Sequence, residues 1–309
     1  MGSNSKWVES RPDDSSRQVA RRALASRLRR MWHYLRLAVE RPSGDTEDVH
    51  QLRVFSRRAA AAMEIFDDSM PRRRGRWMQK QVKRVRKASG EARDFDVLLL
   101  RWAERLQRAP SGETALVLEE IKRRRLAAQK PVEDIFERLN RKQFGQRIEK
   151  LIKRVRASGG KDDCGHEFAC MARIALAKLV GPYLDAGDAN LADAEALHAF
   201  RIQGKQVRYA IEIFAGAFDE DFRQQLYPIV ADLQDRLGAI NDHVTARTYL
   251  AAWHDESDSY SLRRALETAQ QLEQCAFEES RQDFLNWWTT ERRNELRRRF
   301  ARYVQLAAE

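Results

Sequence analysis

Two segments hold the residues on which chemistry can be built. Val49-His50-Gln51-Leu52-Arg53-Val54, followed by Arg57-Arg58 and Glu64, gathers a histidine, three arginines and a carboxylate. Leu197-His198-Ala199-Phe200-Arg201-Ile202, followed by Lys205, Arg208-Tyr209 and Glu212, does the same 148 residues later. Wound at about 100° per residue, His50, Arg53, Arg57 and Glu64 share a sector of about 60°, with Arg58 about 80° from His50. His198, Arg201, Lys205, Arg208, Tyr209 and Glu212 share about 100°. Leu52, Phe55, Ala59, Met63 and Phe66 take the opposite face of the first segment, and Phe200, Val207, Ile211 and Phe214 that of the second.

A narrow charged stripe on an otherwise apolar helix implies that the helix is mostly buried and that its charges share a groove. Cations crowded there lose hydration and repel one another, and one Glu per helix does not balance them. An external polyanion would. The guanidinium fork suits phosphate oxygens, lysine supplies a compact charge, and histidine gains charge beside an anion. The competing reading is a buried ion-pair network joining the two helices, and the excess of bases over acids stands against it. After Pro71, Arg76, Lys80, Lys83 and Lys87 form a ridge at helical spacing, either an extension of the binding surface or a solvated face. Its counterpart 148 residues on, Gln224, Pro228, Ala231 and Asp235, is not basic.

The elements that must hold these stripes are helices. The 309-residue chain is 43% apolar with only 14 Gly and 7 Pro, and Leu24, Leu28, Met31, Leu35 and Ala38 exemplify its pervasive helical period. An all-α fold is expected, with breaks at Arg41-Pro42-Ser43-Gly44, Met70-Pro71, Ser89-Gly90, Ala109-Pro110-Ser111-Gly112, Ser158-Gly159-Gly160, Ala186-Gly187, near Gly216 and at Gly238. Residues 49–66 and 197–214 align without a gap and share 6 of 18 positions, including Glu64-Ile65-Phe66 and Glu212-Ile213-Phe214. Two equivalent halves follow, about 15–158 and 161–305, opening with long helices at about 15–40 and 164–186, behind a disordered tail of residues 1–14. The same offset carries Gly90 to Gly238 and Asp94 to Asp242, which reads as a glycine ending one helix and an aspartate capping the next.

Charge points the same way. The net charge is +11, and residues 1–160 hold 39 basic and 21 acidic side chains against 18 and 25 in the remainder. Nucleic acid is the alternative partner, although no reading motif or platform of interleaved aromatics accompanies the charge. No run of 18 apolar residues and no hydrophobic leader occur, so a soluble, unexported protein without a membrane partner is expected. Cys164, Cys170 and Cys275 are too few for a disulfide framework, and Cys164, His166 and Cys170 lack the ligands that would complete a metal site. His33, His243 and His254-Asp255 have no identifiable catalytic partner, so neither enzyme nor cofactor is expected.

The two stripes, with Gly90-Glu91-Ala92-Arg93-Asp94-Phe95-Asp96-Val97 and Leu237-Gly238-Ala239-Ile240-Asn241-Asp242, resemble the four signatures of the CHAD domain, the conserved histidine α-helical domain, over roughly residues 15–305. The resemblance implies two helical bundles related by a pseudo-two-fold axis around a basic pore or groove. It implies non-catalytic binding of inorganic polyphosphate and association with cytoplasmic polyphosphate granules. By position it assigns contacts to His50, Arg53, Arg57, Arg58, His198, Arg201, Lys205 and Arg208. Ala60 and Ala61 depart from the more basic versions of the motif.

Overall fold

The computed structural model describes residues 6–41, 46–156 and 167–305, and within them the protein is all-α. The first seven helices are α1 (Ser16–Glu40), α2 (Thr46–Ile65), α3 (Arg72–Ala88), α4 (Gly90–Arg108), α5 (Gly112–Ala127), α6 (Gln129–Arg141) and α7 (Phe144–Ile152). Five more follow: α8 (Phe168–Asp188), α9 (Ala194–Phe214), α10 (Tyr227–Glu256), α11 (Tyr260–Trp287) and α12 (Thr290–Ala301). The Ser158-Gly159-Gly160 linker, Cys164 and His166 lie outside the described residues. Cys170 is disulfide-bonded, which an odd number of cysteines in a long chain did not lead one to expect, and Cys275 is a free, exposed thiol.

Local chemistry sets many of the boundaries. Pro71 precedes α3, and the Ser111 hydroxyl accepts the Thr114 amide at 3.0 Å at the start of α5. Ser259, 148 residues later, accepts the Leu262 amide to start α11, and the Asp193 carboxylate accepts the Ala196 amide at 2.9 Å to start α9. Four junctions escaped the breaker residues: α5 passes to α6 at Ala128, α6 to α7 through Gln143, held at φ 54°, α10 to α11 through residues 257–259, and α11 to α12 through residues 288–289.

The offset of 148 recurs in the boundaries. Glu40 and Asp188 end α1 and α8, Thr46 and Ala194 begin α2 and α9, Arg108 and Glu256 end α4 and α10, and Gly112 and Tyr260 begin α5 and α11. The expected break at Gly238 is absent, because α10 runs unbroken through it. Ser89, at the α3–α4 junction, turns its hydroxyl back onto the Val85 carbonyl at 2.8 Å. Its counterpart is Leu237, a strong helix former that is 1% exposed and anchored in the core.

Helices α1 and α2 pack together as α8 and α9 do, over a continuous apolar core. The halves meet where α2 packs on α9, α4 on α10 and α5 on α11. Residues 6–14, placed by the sequence in a disordered tail, are packed instead. Trp7 meets the Tyr227 ring edge-on at 4.8 Å, Val8 is buried and donates its amide to the Glu212 carbonyl, and the Phe168 amide donates to the Asp14 carbonyl. Apolar Trp7 and Val8 gain burial on the second half, which their position near a terminus conceals.

Candidate functional site: a basic groove

The contact of α2 with α9 brings the two stripes together. Arg57 is the hub. Loss of hydration, and with it the positive charge of Arg57, lowers the pKa of His50, Arg53, Arg86, Arg93, Arg201 and Lys205. For Arg53 the result is about 10, and for Lys205, pressed also by Arg201 and Arg53, about 7. Five helices thus converge: α2, α9, the end of α3 through Arg86, the start of α4 through Arg93, and α10 through Asp242.

None of Arg53, Arg57, Arg86, Arg93, Arg201 or Lys205 forms an ion pair within 4 Å among the described residues. The Arg53 and Arg201 Nε atoms are buried without an acceptor, while an Nη of Arg53 donates to the Arg86 carbonyl. The carboxylates nearby are Asp94 and Asp242, both held above the usual range by desolvation. Arg53, Arg57 and Arg93 pull against that shift at Asp94, which accepts the Tyr249 hydroxyl at 3.2 Å, and Arg101, Lys205 and Arg201 do so at Asp242. Neither aspartate caps a helix, contrary to the sequence reading: Asp94 lies inside α4 and Asp242 deep in α10. Continuity of the helices turns both side chains toward the cations instead.

Four residues of the two segments are placed differently. Arg58 donates from Nε and Nη2 to both oxygens of Glu212, at 2.7 and 3.0 Å. Glu212 is 1% exposed, accepts the Tyr227 hydroxyl at 3.1 Å, and lies 3.9 Å from the buried Arg27 of α1. Arg58 and Glu212 therefore belong to a buried ion-pair network linking the halves. Arg208 donates to Asp235 at 3.0 Å and to the Tyr227 hydroxyl at 3.4 Å. His198, on the opening turns of α9, is exposed. Arg86 and Arg93, absent from the sequence candidates, flank Ser89-Gly90, and basic residues on both sides of a helix junction were the signal available.

Of the ridge on α3, Lys83 and Lys87 line a groove of about 920 Å³ between α2 and α3, together with Arg53, Arg86, Glu64, Asp67 and Gln79. Arg76 and Lys80 are exposed outside it. Among the described residues no group of three or more His, Cys, Asp or Glu side chains is placed to hold a metal ion, and no helix is long and apolar enough to cross a membrane.

Comparison with known proteins bears on this arrangement. The crystal structure of the CHAD domain from the plant Ricinus communis has the same fold, with a TM-score of 0.69 and 22% identity over 91% of this chain and 97% of that one. PptA from Streptomyces chartreusis follows with a TM-score of 0.60 and 16% identity, over 89% of this chain and 99% of that one. A comparison with curated proteins gave no match. The profile of the CHAD domain matches residues 22–251, which contain both stripes, both aspartates and the helices that bring them together, and the chain belongs to the CHAD domain family.

Proposed function

We propose that this protein binds inorganic polyphosphate, without turning it over, in the groove between α2 and α9. The observation that carries this reading is the set of cations around Arg57, desolvated and without ion-pair partners. Such a cluster stores repulsion that a chain of phosphates would relieve with charge-assisted hydrogen bonds. The contacts are His50, Arg53, Arg57, Arg201 and Lys205, joined by Arg86 and Arg93; Arg208 and His198 serve the margins, and Arg58 holds the frame. In this reading the halves are related by a pseudo-two-fold axis through the groove. Support comes from α2 and α9, α4 and α10, and α5 and α11, each a helix meeting its counterpart 148 residues away. A cytoplasmic protein that binds polyphosphate in this way would gather at polyphosphate granules.

The ligand class suits the groove because polyphosphate has charge without bases to read. Nucleic acid offers the same backbone charge, but among the large hydrophobics exposed on the described residues the only aromatic is Tyr260, so stacking support is thin. Titration with long-chain polyphosphate, tripolyphosphate and single-stranded RNA at physiological salt tests the reading. Tightest binding to the long chain is expected. Equal or stronger RNA binding would move the protein to the nucleic-acid class, and no binding to any of the three would leave the groove as an internal network.

A further inference from the structure

We propose that bound polyphosphate leaves the central groove on one side only, along the α2–α3 groove, where Lys83, Arg86 and Lys87 make a further subsite. This rests on the polyphosphate reading and adds a path to it. Arg53 belongs to both places: it shares the central electrostatics with Arg57 and also lines the side groove with Arg86, Lys87 and Lys83. The two places therefore share that side chain, whose guanidinium can serve a phosphate on either side. Lys83 and Lys87 are exposed and form no ion pair among the described residues, so their charge is free to meet a ligand.

The other half lacks this exit. Lys83, Arg86 and Lys87 correspond, 148 residues on, to Ala231, Gln234 and Asp235. Gln234 is 4% exposed, with its amide pressed against Gly204, and Asp235 is paired with Arg208 at 3.0 Å. A polyanion passing that way would meet a carboxylate and a salt bridge already formed. The side groove itself has an end. At the turn between α2 and α3 the lining changes to Glu64, Asp67 and Gln79, with Gln79 donating to Asp67 at 2.8 Å, so the polymer must lift into solvent beyond Lys83.

A chain of three phosphates has no need of the subsite when the central groove can hold it, whereas a long chain continues into it. The test compares wild type, Lys83→Ala/Lys87→Ala and the charge-matched control Arg76→Ala/Lys80→Ala, each titrated with long-chain polyphosphate and with tripolyphosphate across a salt series. Expected for the first pair are a tenfold loss of long-chain affinity, unchanged tripolyphosphate affinity, and a log–log salt slope shallower by about 1.4 for two lost phosphate contacts on a single strand. The control pair should leave long-chain affinity within twofold. Equal losses for both ligands, equal losses for both variants, or no loss would overturn the one-sided path while leaving the central site standing. Wild type that binds neither ligand would overturn the polyphosphate reading and the path with it.

Discussion

Arg58 of α2 grips both carboxylate oxygens of Glu212 on α9, 154 residues away, at 2.7 and 3.0 Å. This contact divides the polar residues of the two helices into a frame and a site. Glu212 is buried, and loss of water lowers the pKa of its neighbour Arg27 to about 10 although the carboxylate pulls it up. Glu212→Gln leaves two guanidiniums without their counter-charge and should cost about 3–5 kcal/mol, the range for breaking a buried pair. Arg58→Gln, the residue of the second copy, should lower stability with polyphosphate affinity changed less than threefold. Chemical denaturation and titration of the same variants check both, and an affinity loss as large as that of an Arg57 variant would return Arg58 to the site.

Arg57 presents the opposite case. Its charge acts on six basic groups and meets no acid within ion-pair distance among the described residues. Arg57→Ala should raise the melting temperature of the ligand-free protein by relieving repulsion. It should also weaken binding by about 1.5–3 kcal/mol, or about ten- to a hundredfold in affinity. Scanning calorimetry with and without polyphosphate separates the two effects, which have opposite signs.

On the polyphosphate reading, Lys205 should make binding depend on pH. Its pKa is lowered to about 7 in the free protein, first by burial and then by Arg201 and Arg57. A bound polyanion raises it, so between the free and bound values binding takes up a proton and affinity falls as pH increases. At pH 8 calorimetry in buffers of different ionisation enthalpy should show that uptake, and Lys205→Arg should remove most of it. Folding has the reverse slope. The unfolded chain retains the lysine proton up to its ordinary range, so stability of the free protein rises as pH passes through 7.

Asp94 and Asp242 are carboxylates set among these cations, and on the polyphosphate reading they oppose the ligand. Asp242→Asn should increase polyphosphate affinity a few-fold at pH 7.5 without lowering the stability of the free protein, because burial of the Asp242 carboxylate outweighs the help it receives from Arg101, Lys205 and Arg201. Had the aspartate been a helix cap, the variant would leave affinity unchanged.

Gly204 lies between Arg201 and Lys205 on α9 but faces inward. A β-carbon there would stand 2.0 Å from the Gln234 Nε2 and 3.0 Å from the Tyr183 ring, both side chains being buried. Gly204→Ala should therefore destabilise by about 1–3 kcal/mol, the usual cost of overpacking. Urea denaturation measures it; a neutral result would mean that the Gln234 amide moves aside freely.

The sequence by itself determined the all-α class and most helix boundaries, because apolar period, prolines and capping side chains act within a few residues. The stripe membership of Arg53, Arg57, Arg201 and Lys205 was legible for the same reason: positions three and four apart share a face of any helix. Only tertiary structure decided which charges are spent and which are free. Arg58 differs from Arg57 by one position and about 100° of rotation, and the crossing of α2 with α9 sends one to Glu212 and leaves the other among cations. Arg86 and Arg93 join the cations around Arg57 through helix ends whose directions follow from packing. The packed residues 6–14 follow the same rule, since what covers a segment depends on distant surface. Spacing along a chain specifies faces, whereas the pairing of faces depends on how helices separated by more than a hundred residues bury their apolar sides together.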